Sequence, residues 1–252
     1  PPPSPSKTFF RAAAAACLLS WLALACASDE GPATVSLVKN EEGHSLLRDG
    51  EPYFVEGAVY TDFMPALAEH GANSVRIWRN HEHALDEAHA LGLTALVSLP
   101  LKAERRGMNY DDPGMVERQF NEIMELVRAT KDHPAVLMWA LGNELDFIPG
   151  SDTYRHSVWD AVNDLAKAIK AIDPRHPVMT VLGTGRFHKV EHVMERAPDL
   201  DLLGINTYAD MGKVPGMLAE HGWKKPYIYT EWGVSGYWQV PRTAWRAPYE
   251  EN

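Results

Sequence analysis

The chain has 252 residues, enough to bury a full core and close to the roughly 250 residues of a single β/α barrel. Its 45% hydrophobic and 23% charged content exclude a disordered or fibrous protein. A formal charge of -10 argues against a surface that tracks phosphates, so nucleic acid is excluded as a partner and neutral or cationic ligands are favoured.

Lys7 and Arg11 precede an apolar stretch from Ala12 to Ala25 that is too short to span a bilayer, which predicts a signal peptide over residues 1–27. Both cysteines, Cys17 and Cys26, fall inside it, so the exported domain is expected to form no intramolecular disulfide. Leu22 to Cys26 is similar to a bacterial lipoprotein box, with Ala23 at the place usually held by leucine. The expected destination is the periplasm or cell envelope, with a lipid anchor at Cys26, or secretion after cleavage at an Ala-x-Ala site.

Residues 28–50 read as a polar linker and a hairpin, with Val35 to Val38 and Ser45 to Leu47 flanking a turn at Glu41-Glu42-Gly43-His44. From residue 51 onward the chain alternates. Short apolar runs begin near Tyr53, Asn73, Leu93, Ala135, Pro177, Asp201 and Pro226, separated by segments of helical spacing. Strand and helix in alternation predict a parallel sheet covered by helices. Val116, Phe120, Ile123 and Val127 mark one helix face, and Val158, Val162, Leu165, Ile169 and Ile172 mark another, with Ser151 and Asp152 as its expected caps. Gly71, Gly92 and Gly222 stand where helices should stop in a left-handed residue.

The expected fold over residues 51–252 is therefore α/β, a TIM (β/α)8 barrel that stops after strand seven. No apolar run follows Glu231, and the chain opens on Pro1, so the expectation is a piece of a longer reading frame that supplies the eighth strand.

Chemistry is delivered at strand ends. The apolar run Ala135 to Leu141 ends in Gly142-Asn143-Glu144, and the run from Pro226 ends in Glu231. Active sites of β/α barrels lie at the C-terminal ends of strands, and two such carboxylates are what cleavage of a glycosidic bond requires. Asn-Glu also occurs at Asn40-Glu41 and Asn121-Glu122, in an expected turn and on an expected helix, so position and not the dipeptide carries the inference. Arg76 alternates with Val75 and Ile77 and should face the opposite side of the second strand, where its cation would keep a neighbouring carboxylate ionised.

Taken in order, Phe54 to Tyr60, Ala72 to Trp78, His133 to Glu144, Asp201 to Tyr208 and Thr230 to Gly233 resemble clan A of the glycoside hydrolases. The catalytic barrel of family 2 is the nearest match, over about Gly50 to Gly233. The resemblance implies that Glu144 is the general acid/base, Asn143 the amide that holds the sugar 2-hydroxyl, and Glu231 the nucleophile. It further implies that Arg76 braces the nucleophile and Tyr208 contacts it, with Asn206 and Trp232 as substrate contacts. The family's aromatic residue at the end of strand eight has no counterpart here. Among the aromatic residues at strand ends, Tyr60, Trp78, Tyr208, Trp232, Tyr237 and Trp238, about half are expected to stack on sugar rings, whereas Trp139 is expected in the core.

The function expected on these grounds is a retaining hydrolase of a β-linked sugar or oligosaccharide, with carbohydrate as partner and no cofactor. A transglycosidase with the same two glutamates and a non-catalytic sugar-binding barrel are the alternatives. A metal centre is disfavoured, because His81 and His83 lack histidines at the ends of later strands and are expected to face solvent on a helix's first turn. Gly183-Thr184-Gly185 lacks the spacing and lysine of a phosphate loop.

Overall fold

A computed structural model describes residues 31–249, apart from Glu42, Tyr60, Thr61, Asp152 and Tyr237 and the side chains of Arg186 and Phe187. The predicted leader with Cys17 and Cys26, the candidate sugar contact Tyr60, Tyr237 and the candidate cap Asp152 lie outside the described residues.

Among the described residues three short antiparallel strands come first: β1 (Val35–Asn40), β2 (Gly43–Arg48) and β3 (Glu51–Pro52). The predicted hairpin turn is where the pattern put it. Val35 donates its backbone N–H to Arg175 O at 2.8 Å, and its side chain joins Leu96, Met138, Met179 and Leu202 in one apolar cluster.

Among the described residues seven parallel strands then follow in sheet order β10-β9-β8-β7-β6-β5-β4. They are β4 (Gly57–Val59), β5 (Ser74–Ile77), β6 (Thr94–Leu99), β7 (Val136–Leu141), β8 (Val178–Gly183), β9 (Leu202–Tyr208) and β10 (Tyr227–Gly233). Among the described residues, β4 and β10 each pair on one side only. Between the strands run α1 (Met64–Glu69), α2 (His81–Ala90), α3 (Pro113–Thr130), α4 (Ser157–Ile172), α5 (Val190–Arg196) and α6 (Val214–Glu220). Among the described residues no helix is long and apolar enough to cross a membrane.

Period-2 alternation sorts the strand side chains into two layers. Val75, Ile77, Ala95, Val97, Leu99, Leu203 and Ile205 pack outward with the buried helix residues Ile123, Val127, Val162, Leu165 and Ile169. Leu96, Met138, Ala140, Met179, Val181 and Leu202 fill the sheet's inner face. Trp139 is fully buried in the outer layer, as expected, and its indole N–H donates to Asp173 Oδ2 at 2.8 Å. Inside the barrel space is short: a Cβ on Gly204 would lie 2.7 Å from Thr230 Cγ2 and 2.9 Å from Val181 Cγ2.

Two boundaries depart from the pattern. The first parallel strand begins at Gly57, not near Tyr53, because Asn73 engages the preceding backbone with its side chain: Nδ2 donates to Phe54 O at 2.7 Å, and Oδ1 accepts from Glu56 N at 2.9 Å. Helix α4 starts at Ser157 with no side-chain cap, and Ser151 bonds Thr153 instead. The intervening chain is held by Arg155, which pairs with Glu104 and Asp111 from the loop after β6. The glycine stops are as predicted, with φ of 87° at Gly71, 72° at Gly92 and 78° at Gly222.

Candidate active site

Arg76 organises the C-terminal rim. It points inward from β5 with only 3% exposure, opposite to Val75 and Ile77 as alternation requires. Its guanidinium is used on every side: Nε donates to Ser98 Oγ at 3.0 Å, Nη2 to Asn143 Oδ1 at 3.1 Å, and Nη1 to Glu231 Oε1 at 3.1 Å and Thr230 O at 3.3 Å. The Trp78 ring lies against it, 4.0 Å from Cζ to the centroid. Burial pulls the group down to about 10, while Glu231 and Glu144 oppose the fall, so Arg76 stays cationic at neutral pH.

Glu231 reaches that cation through an irregularity in β10. Its register against β9 shifts between Tyr229 and Glu231. In an unbroken pleat Ile228 and Thr230 would face inward and Glu231 outward. With the shift, Thr230 and Glu231 both reach the inner side, which is what a bulge does to a strand end. Glu231 Oε2 then accepts from the Tyr208 hydroxyl at 3.0 Å.

Glu144 is set differently, in the loop after β7. Its φ is 47°, a left-handed conformation in a residue with a side chain. Its N–H donates to Val181 O at 2.9 Å. Asn206 presents Nδ2 to two acceptors, Glu144 Oε1 at 2.8 Å and Asn143 Oδ1 at 3.0 Å. Since Asn143 Oδ1 also accepts from Arg76, the Asn143 amide is oriented with its nitrogen as the donor left for a ligand.

One connected network thus holds Arg76, Asn143, Glu144, Asn206, Tyr208 and Glu231, all expected at the site. Four of them, Arg76, Asn143, Tyr208 and Glu231, line a cleft of about 780 Å³ whose walls also include Gly57, Trp78 and Trp232. Trp232 and Trp238 are 63% and 56% exposed, and Trp238 meets Tyr208 edge to face at 4.9 Å between centroids. His81 departs from expectation: it is turned to the sheet, with Nε2 bonded to Ser98 O at 3.0 Å, while His83 faces solvent. Among the described residues no group of three or more His, Cys, Asp or Glu is placed to hold a metal ion.

Sequence reasoning missed Ser98, Arg105 and Thr230. Ser98 and Thr230 carry a usable signal, since both lie on parallel strands beside residues already singled out. Arg105 carries none, because it sits in a one-turn helix, Glu104–Arg106, with no periodicity to assign it.

Residues 58–239 match the family model described as the TIM barrel domain of the glycosyl hydrolases family 2. The chain belongs to glycosyl hydrolase family 2. Among curated relatives, a β-glucuronidase of Paenibacillus borealis is 26% identical over 254 residues, covering 84% of this chain and 41% of that protein. A β-glucuronidase of Felis catus is 29% identical over 149 residues, 52% of this chain and 21% of that protein. The family 2 barrel here thus spans less than half the length of either relative. Among solved structures, the β-D-glucuronidase of Dictyoglomus thermophilum superposes with a TM-score of 0.59 at 21% identity, covering 79% of this chain and 39% of that one. A putative β-galactosidase of Bacteroides fragilis gives 0.60 at 18% identity, covering 86% and 33%. At these identities the superpositions speak for the TIM-barrel fold alone.

Proposed function

We propose that this barrel is the catalytic domain of a retaining β-glycosidase, with Glu231 as nucleophile and Glu144 as general acid/base. The observation that carries the reading is that two carboxylates at the ends of separate strands are wired differently within one hydrogen-bonded network, Arg76 joining Glu231 to Asn143 and Asn206 joining Asn143 to Glu144. Glu231 receives a buried cation on Oε1 and a phenol on Oε2, which fix the carboxylate in place for attack. Glu144 receives one neutral amide on Oε1, which leaves Oε2 to carry the transferable proton.

The chemistry follows from that asymmetry. Glu231 attacks the anomeric carbon while the glycosidic C–O bond breaks, and Glu144 gives its proton to the departing oxygen. Glu144, now ionised, takes a proton from water as that water attacks the anomeric carbon and expels Glu231. Two inversions leave the configuration unchanged. Asn143 Nδ2 is the donor for the sugar's hydroxyl, and Trp232 and Trp238 offer ring faces for stacking.

For the sugar itself we take a β-D-glucuronide, on two supports: the curated relatives are β-glucuronidases, and Arg79 and Arg106 line the cleft as partners for a carboxylate. The test is a panel of aryl β-glycosides assayed on wild type, Glu144→Gln and Glu231→Gln, with the first-formed anomer read by NMR. Turnover of the glucuronide with a β product, falling by about a hundredfold or more in both variants, is the expected result. Equal rates in all three proteins, or an α product, would end the proposal. Export and a lipid anchor at Cys26 are part of the same reading, and a Cys26→Ser form released from membranes would support the anchor.

A further inference from the structure

We propose that Arg105 is a positioning residue for the acid/base step, holding Glu144 through the backbone and not through its carboxylate. The inference rests on the reading of Glu144 as acid/base. Three carbonyl oxygens turn toward this one guanidinium: Nη1 donates to Glu144 O and, at 3.1 Å, to Phe147 O, while Nη2 donates to Asn143 O at 3.1 Å. The same group lies over the Phe147 ring, 5.4 Å from the centroid. Arg105 comes from the loop after β6, so the clamp joins two neighbouring strand-end loops.

Converging carbonyl dipoles repel one another unless a cation with several donors sits between them, and a planar guanidinium matches that requirement where an ammonium does not. The conformation being held is itself unfavourable. Glu144 has φ 47° with a Cβ, a state that persists only when its surroundings over-determine it. Two further contacts brace the same loops. Arg155 pairs with Glu104, adjacent to Arg105, and on the far side the buried Lys189 Nζ donates to Asp146 O at 3.0 Å.

Little room is left for error. A Cβ on Gly183 would lie 3.3 Å from Glu144 Cδ, so the carboxyl rests directly on the backbone of β8. If the clamp is released, Glu144 relaxes toward an ordinary φ and its carboxyl swings away from Asn206. Arg76 touches that movement only through Asn143 and keeps its bonds to Ser98, Thr230 and Glu231, while Tyr208 stays on Glu231. Attack should therefore survive while proton donation fails.

That separation is measurable, because a poor leaving group needs the proton and a good one does not. The substrates are phenyl and dinitrophenyl β-glucuronide, and kcat/KM reports the first displacement. Arg105→Met is expected to lose about ten- to a hundredfold on the phenyl substrate and about twofold or less on the dinitrophenyl one. Arg105→Lys should show the same selectivity with a smaller loss, and it serves as the reading if the methionine variant fails to fold by near-ultraviolet dichroism. Equal losses on both substrates, or none, overturn the inference, provided that Glu144→Gln is itself selective for the phenyl substrate. A wild type inactive on both, or an unselective Glu144→Gln, overturns the reading of the site.

Discussion

Thr230 Oγ1 donates to Asn206 Oδ1 at 2.8 Å, and that bond decides which way the Asn206 amide faces. With Oδ1 committed to Thr230, Nδ2 must point at Glu144 and Asn143. Thr230→Val keeps the shape and removes the donor, so the amide is free to turn its oxygen toward the Glu144 carboxyl, where two oxygens would face each other. The expected cost is about 1–2 kcal/mol in stability. Activity should fall about tenfold, more in kcat than in KM, since proton transfer is disturbed more than binding. Steady-state kinetics that match wild type would show that Thr230 merely fills space.

Arg76 makes bonds in three directions with one planar group, to Ser98, Asn143 and Glu231. An ammonium cannot reproduce that spread. Arg76→Lys should therefore lose most of the activity despite conserving charge, about a hundredfold in kcat, and Arg76→Met about a thousandfold. The order matters as much as the size. A lysine variant as active as wild type would mean that charge alone, and not the fixed fork, supports Glu231.

Much of this site was legible in the sequence, for a physical reason in each case. Alternation around Ser74 to Ile77 put Arg76 inside, and the ends of the runs at Leu141 and Thr230 put Glu144 and Glu231 on one rim. What stayed hidden are the features that tertiary contacts impose against local preference. Nothing in Tyr229-Thr230-Glu231 announces a bulge, yet without it Glu231 would face the helices. Nothing in Asn143-Glu144 announces a left-handed glutamate, because the residue type that favours that region is glycine, and the stabilising carbonyl clamp comes from Arg105, 39 residues earlier. The start of α4 departs from the pattern for the same reason: Arg155, held by Glu104 and Asp111, extends the loop past the polar residues that resemble caps.

Gly204 links barrel packing to catalysis. An added methyl would lie 2.7 Å from Thr230 Cγ2 and 2.9 Å from Val181 Cγ2, closer than carbon contacts allow, and 3.0 Å from Met179 Sδ. Gly204→Ala should cost about 1–3 kcal/mol by overpacking. Because one of the displaced groups is the Thr230 side chain that orients Asn206, activity per folded molecule should fall too. Gly185→Ala is the control, since nothing lies within 4 Å of a Cβ there. Identical specific activities for the two variants, measured well below either melting midpoint, would uncouple core packing from the site.

Asp173 supplies the pH dependence of the fold. Its carboxylate is fully buried at the end of α4, accepting from Trp139 Nε1 at 2.8 Å and bonded to His176 Nδ1 at 2.7 Å. Burial alone would raise this acid, but the bonds from His176 and Trp139 and the Arg175 backbone N–H outweigh it, so it lies below the usual aspartate range. A carboxyl lower in the folded than in the unfolded chain stabilises the fold above the unfolded value. That contribution disappears as pH falls through the folded one. Asp173→Asn should therefore cost about 2–4 kcal/mol at pH 7, and the difference from wild type should shrink below about pH 4. Urea unfolding at several pH values, followed by tryptophan fluorescence, reads both. A gap between the two proteins that stays constant from pH 7 into acid would show that Asp173 acts by shape alone and not through its charge.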